Sequence, residues 1–203
     1  AAGYRAASAQ VEALFPGIAA GGTRVTSLRE SLSRATYLGS FRQKYLLFEG
    51  MSALLVIDQH AAHERVTYEA LKRQIEQNRL EVQQMLMPLL LKLSPQEMLA
   101  WKERNDLLAE MGFSSTAWGE GEIAVYSHPQ VISTPEDAVR SLLAEEAIPR
   151  ADKAALARRA CRRSLMAGTS LTRDEAETLK KALLACEEPL VCPHGRPTVI
   201  ALD

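Results

Sequence analysis

Cysteine is sparse in this chain, with three among 203 residues. An odd, low count argues against a disulfide framework and for a reducing compartment with thiol or metal chemistry. No apolar run approaches the roughly 20 residues that a bilayer-crossing helix needs. The opening stretch, AAGYRAASAQ, has neither the basic nor the apolar region of a secretory signal. It also lacks an initiator Met, and the chain is expected to be a piece of something longer. Charge of one sign is missing too. A net charge of -1 gives no global pull toward DNA or membrane, so nucleic-acid binding would need a local basic patch. There is no internal repeat and no low-complexity tract.

What is present is 47% hydrophobic residues, enough for a real core in one domain or two small ones. Residues 1–30 are rich in Ala, Gly and Ser and read as a linker tail with one short helix around Val11 to Phe15. Strand patterns follow in RATYLGSF, QKYLLFEG and MSALLVID, the last two joined by a tight turn at Glu49-Gly50. The run Ala53 to Ile57 is apolar throughout, as in a strand covered on both faces. A helix is expected over His60 to Gln77, then an extended segment over 85–93 interrupted by Pro88. Ser94, Pro95 and Glu97 open another helix with a capping box, and Gly112 ends it. FSSTAW and EIAVYSH form a hairpin around GEGE. Further helices are expected from Thr134-Pro135 to Ala147, from Asp152 to Ala167, and from Thr172, capped with Glu175, to near Cys186. A turn and a final strand close the chain in PLVCPHGRPTVIALD. Strands and helices in unalternating order predict an α+β fold. Two subdomains are expected, one of residues 31–88 with 151–203 and one inserted over 89–150.

Four short stretches carry chemistry. In VIDQHAAHERVTYEAL, Asp58 ends a strand and feeds a helix, which places its carboxylate at the sheet's carboxyl edge, a usual place for sites. His60 and Glu64 are four apart and project from one helix face, and Asp58 reaches the same space. Carboxylate with imidazole suits zinc or manganese better than magnesium alone. Glu69 lies about half a turn round the wheel from His60 and points elsewhere, while His63 is offset from His60 by ~60°. The plain alternative is a solvated helix with Asp58 as its N-cap. A zinc-protease reading fails, because HAAHE is neither HExxH nor HxxEH.

In CPHGRP, Cys192 and His194 stand two apart in an extended turn and can face one ion; thiolate and imidazole are the usual zinc ligands. The alternative is a buried Cys beside a surface His. In RRACRRSLMAG, Cys161 sits among Arg158, Arg159, Arg162 and Arg163. Positive surroundings favour a reactive or metal-bound thiol, and the arginines offer phosphate contacts; the alternative is an amphipathic helix with a small buried Cys. In QQMLMP, Gln83, Met85, Leu86 and Pro88 can lie in an apolar groove on a partner, or form a half-buried edge strand ended by Pro. Cys186 reads as core.

Together these stretches resemble the endonuclease-bearing form of the MutL C-terminal domain family of DNA mismatch repair. The family's DQHA-x2-E-x4-E motif reads here as Asp58-Gln59-His60-Ala61, Ala62-His63, Glu64, four residues and Glu69. Its AC-basic helix motif is matched by Ala160-Cys161-Arg162, its CPHGRP motif by Cys192 to Pro197, and its sliding-clamp docking motif by Gln83, Met85, Leu86 and Pro88. All four stand in the family's order. The resemblance implies that Asp58, His60, Glu64, Cys161, Cys192 and His194 ligate one or two zinc-type ions, with Glu64 as bridge. It gives catalysis to Asp58, His60 and Glu64 and support to Gln59, Glu69 and Arg196.

The implied reaction is nicking of one strand of duplex DNA, with manganese or magnesium as an alternative activating ion. ATP is expected to act only through an N-terminal module outside this stretch. The implied partners are a second copy through the strand-rich half (the inserted half lying outside), the replication sliding clamp, and double-stranded DNA weakly through Arg158, Arg159, Arg162 and Arg163. The mismatch-recognition protein MutS would be met through the full-length protein, with no membrane partner, in a bacterial cytoplasm near the nucleoid. A structural or regulatory role for the Cys-rich site stays open. So does the reading of the whole as a non-catalytic dimerisation and clamp-docking module with a structural zinc.

Overall fold

The computed structural model describes residues 22–144, 152–161 and 170–202. The fold is α+β, with two antiparallel sheets and two compact units. The first unit takes residues 1–66 and 166–203, and the second takes 67–165.

In the first unit, α1 (Gly22–Arg34) precedes the strands β1 (Thr36–Phe41), β2 (Tyr45–Glu49) and β3 (Leu54–Asp58). The first turns of α2 (Gln59–Glu76), then α6 (Arg173–Leu184) and β7 (Val199–Leu202), complete it. Residues 22–34 are therefore helical where composition suggested the end of a linker. The short helix expected around Val11 lies outside the described residues.

The sheet order is β1-β2-β3-β7. Residues 42 and 43 join β1 to β2 with φ of 53° and 55°, and Lys44 N–H donates to the Phe41 carbonyl at 3.2 Å. Two left-handed residues match the right-handed twist of a hairpin. The β2–β3 turn opens on Gly50. A Cβ there would lie 2.7 Å from Ser31 Oγ and 2.9 Å from the Ala53 carbonyl oxygen, so close approach of α1 requires glycine. The side chains of Leu46, Phe48, Leu55, Ile57 and Val199 form one core with Leu32 of α1 and Ala176, Leu179 and Leu183 of α6. Lys180 is buried among them. It donates to the Ala35 carbonyl at 2.6 Å, meets Glu177 at 2.8 Å and lies 5.1 Å from the centre of the Phe48 ring.

The other face of this sheet corrects one expectation. Instead of being covered on both faces, β3 alternates: Leu55 and Ile57 are buried, while Leu54 and Val56 are half-buried. Register aligns Leu47, Val56 and Ile200 in one row, flanked by Phe41 with Tyr45 and by Leu54 with Leu202. None of these side chains belongs to the core, and Leu38, Phe41 and Leu202 are exposed.

The second unit holds the later turns of α2, β4 (Val82–Lys92), α3 (Pro95–Glu110), β5 (Ser115–Gly119), β6 (Glu122–Pro129), α4 (Pro135–Leu143) and α5 (Lys153–Ala160). Its sheet order is β4-β6-β5. The capping box forms as expected, with Ser94 Oγ accepting from Glu97 N–H at 3.2 Å and Glu97 Oε2 accepting from Ser94 N–H at 2.8 Å. Trp101 donates through Nε1 to Ser115 Oγ at 2.9 Å, and packs in a core with Leu91, Phe113, Ile123, Val125, Leu142 and Leu156.

β4 pairs with β6 up to Gln84 and again from Leu89. Five residues advance on β4 while two advance on β6, so Met85 to Pro88 bulge out of the ladder. A proline, which has no N–H for the ladder, belongs in such a bulge. Leu86 and Met87 are exposed there. α5 stops at Ala160 with Cys161 as its C-cap, and the expected continuation to Ala167 lies outside the described residues.

Candidate metal centre

The centre is assembled by strand pairing. β3 and β7 are antiparallel neighbours, with Ile57 opposite Val199. Asp58 N–H donates to the Thr198 carbonyl at 2.9 Å. The start of α2 is thereby fixed beside the loop that leads into β7, although the two are about 130 residues apart in sequence.

That loop is a closed hairpin. Thr198 N–H donates to the Leu190 carbonyl at 3.0 Å, Cys192 N–H to the Arg196 carbonyl at 2.7 Å, and Gly195 N–H to the Cys192 carbonyl at 2.9 Å. Gly195 has φ of 86°, a left-handed angle that glycine takes without Cβ strain. The hairpin sets Cys192 and His194 on one side, facing Glu64. The ligand atoms of Glu64, Cys192 and His194 lie within 4.8 Å of one another.

Glu64 is the hub. Its Oε2 is 3.4 Å from His194 Nδ1 and its Oε1 is 3.4 Å from His60 Nε2. Burial alone pushes its carboxyl up, but His194, His60 and a hydrogen bond from Cys192 outweigh it and hold it below the usual carboxylate value. Hydrogen bonds to Cys192 and Glu64 raise His194 to about 9 against its burial. Burial, then His60, lowers His63. The site thus draws positive charge, and without a metal it holds a proton on His194.

The donor set fits a zinc-type ion. A thiolate, an imidazole and a carboxylate are zinc's usual ligands, and tetrahedral bonds of about 2.0–2.3 Å put ligand atoms about 3.3–3.8 Å apart, a spacing that Glu64 and His194 already meet at 3.4 Å. The Nδ1 of His60 and the Nε2 of His63 are buried with no hydrogen-bond partner among the described residues, which also suits a cation nearby.

The other expected site residues fall as follows. Asp58 lies at the β3–α2 junction, where its Oδ1 accepts from Ala61 N–H at 3.0 Å and caps the helix; it is not among the three residues whose ligand atoms gather. Gln59 opens α2, with its N–H on the Lys44 carbonyl at 2.9 Å. Arg196 is exposed and contributes its main-chain carbonyl to the hairpin. Glu69 and Cys161 belong to the second unit and are buried in it, Cys161 within its apolar core. Gln83, Met85, Leu86 and Pro88 stand at and in the β4 bulge. Arg158 and Arg159 occupy the last turn of α5, whereas Arg162 and Arg163 lie outside the described residues.

Sequence reasoning missed Arg65. It is buried, donates through Nε to the Val191 carbonyl at 2.6 Å, and places a terminal nitrogen 3.3 Å from Glu188. Its signal was an arginine directly after Glu64, a position no motif singled out.

Residues 38–171, more than half of the chain, match the family model described as MutL C terminal dimerisation domain. Among curated proteins, the DNA mismatch repair protein MutL of Thermus thermophilus is 38% identical over 176 residues, covering 84% of this chain and 31% of the relative. That of Coxiella burnetii is 36% identical over 163 residues, covering 76% and 28%. That of Symbiobacterium thermophilum is 32% identical over 178 residues, covering 82% and 28%. The chain therefore spans less than a third of the length of these relatives. The family model and the relatives together show that the chain belongs to the MutL C-terminal dimerisation domain family.

Proposed function

We propose that this chain is the metal-dependent, DNA-nicking domain of a mismatch-repair MutL protein, and that it dimerises through the open face of its four-stranded sheet. The observation that carries the catalytic reading is the convergence of Glu64, Cys192 and His194, with His60 on the second oxygen of Glu64. Glu64, Cys192 and His194 would hold the ion, with His60 beside the second oxygen of Glu64 as a further candidate ligand. A bound ion there supplies a Lewis acid that activates water and offsets charge gathering on the phosphate. Asp58 keeps Oδ1 on the helix N-terminus, leaving its other oxygen to orient water at the same edge. The exposed bulge at Met85 to Pro88 offers apolar side chains to a sliding clamp, and Arg158 and Arg159 offer charge to DNA.

The test is nicking of supercoiled plasmid by full-length protein with manganese. Asn caps helices as well as Asp does, so Asp58→Asn keeps the junction and removes the charge. Nicking is expected to fall tenfold or more. A folded variant that nicks like the parent would sink the catalytic assignment. The cap role of Asp58 and the thiol in the donor set also favour a second reading, a structural zinc in a non-catalytic dimerisation module. On that reading a chelator lowers the melting temperature and no manganese-dependent nicking appears in the parent.

The dimer reading rests on the apolar row of Leu47, Val56 and Ile200. Val56 lies outside the core, so Val56→Asp should leave the subunit folded. Two-fold pairing would bury two unpaired carboxylates, and dimer affinity should drop tenfold or more in sedimentation equilibrium. Unchanged association would move the interface elsewhere.

A further inference from the structure

We infer that Arg65 is a positioning residue that locks the Cys192–His194 loop onto the helix carrying His60 and Glu64, and so sets the metal affinity of the centre. The inference rests on the metal-binding reading above.

The two ligand groups come from distant parts of the chain, and a preorganised site needs their separation fixed. Backbone pairing of β3 with β7 holds the limb that leaves the loop, through Asp58 N–H on the Thr198 carbonyl, and Thr198 N–H on the Leu190 carbonyl ties the entering limb only to that neighbour. Arg65 ties the entering limb to the helix itself. Its Nε donates at 2.6 Å to the carbonyl of Val191, the residue joined directly to Cys192. The same guanidinium lies 3.3 Å from Glu188 Oε2, and the Glu188 carbonyl accepts from Val191 N–H at 3.4 Å. One rigid fork therefore holds two points of the segment that enters the loop, a geometry that suits arginine and not lysine. The Arg65 side chain is 6% exposed and that of Glu188 is 71% exposed. The carbonyl bond is thus the constraining contact, and the ion pair is the outer, screened one. Arg65 follows Glu64 on the helix, so any slack in this tie becomes slack between the Glu64 carboxylate and the Cys192 thiol. Groups that orient metal ligands typically change affinity 10- to 100-fold when removed.

The experiment measures zinc affinity of the full chain by competition with a chromophoric chelator, and records the cobalt(II) spectrum, whose thiolate band reports Cys192. Zinc and cobalt alone are the probes. Arg65→Gln is expected to weaken zinc about 10- to 100-fold and to shift or weaken the thiolate band, with the native far-ultraviolet spectrum kept. Arg65→Lys, able to reach one carbonyl but not to fork, should recover part of the loss, and Glu188→Ala should change affinity less than threefold. Parent-like zinc affinity and an unchanged cobalt spectrum in either folded Arg65 variant overturn the inference, as does failure of both to fold, which would make Arg65 a residue of the fold alone. If the parent itself binds no zinc, it is the metal-binding reading that fails.

Discussion

Replacing Glu64 with Ala should lower zinc affinity about 1,000-fold, the largest loss expected from any single substitution in this chain. Structural zinc sites bind with about 10–16 kcal/mol over four ligands, so one ligand carries about 3 kcal/mol, or about 100-fold. Glu64 exceeds that share because its two oxygens face two histidines, His194 and His60, each at 3.4 Å. Without the carboxylate both imidazoles lose the group that orients them, and the negative charge that balances a cation disappears. A chelator competition reads the affinity, and native mass spectrometry reads the number of ions. The metal-free protein offers an internal check. Its His194, raised to about 9 by Cys192 and Glu64, should fall toward the ordinary imidazole value in the variant, followed by proton NMR. Retained zinc affinity would show that the ion rests on other residues.

The sequence showed the local half of this architecture and not the half made by long-range pairing. Ser94 with Glu97 and Thr172 with Glu175 announce their helices because a cap is satisfied within four residues, and both boxes form. The hairpin turn at residues 42 and 43 was silent, since Arg-Gln fills left-handed positions that Asn-Gly would have advertised. α1 hid within a stretch of small residues; only Leu28 and Leu32, four apart and packed on the first core, betray it. Asp58, His60 and Glu64 could be placed on one turn from spacing, but spacing cannot say that Cys192 and His194 arrive there. That follows from β3 lying beside β7, a choice made by the whole sheet. Arg65 was illegible for a different reason. Its partner is a main-chain carbonyl, which any residue supplies and no motif records. The apolar run in β3 suggests a strand covered on both faces because composition alone cannot separate a face buried by helices from an apolar face left outside the core.

Zinc affinity should also rise at least tenfold for each pH unit between 6.5 and 9, or at least 100-fold from pH 6.5 to 8.5. Zinc takes a neutral imidazole, so below about 9 the ion must expel the proton that Cys192 and Glu64 hold on His194. The metal-free protein should run the other way. A histidine whose folded value lies above its ordinary 6.5 contributes stability that is full below pH 6.5 and fades as pH rises through about 9. Glu64, held below its usual 4.5, adds stability that is present above that value and is lost only on the acid side, so it does not offset the fall. Thermal melts with zinc and with chelator at pH 6.5, 7.5 and 8.5 should therefore diverge. The loaded form should hold or gain while the chelated form declines, and the gap should be widest at the highest pH. Calorimetry at pH 7.5 in buffers of different ionisation enthalpy should show at least one proton released per zinc bound. Two melting series that stay parallel across this range, with no proton released, would mean that His194 is not a ligand. In that case the imidazole and carboxylate form a salt bridge that closes the β7 loop, and a metal, if one binds, uses Cys192 without its neighbour.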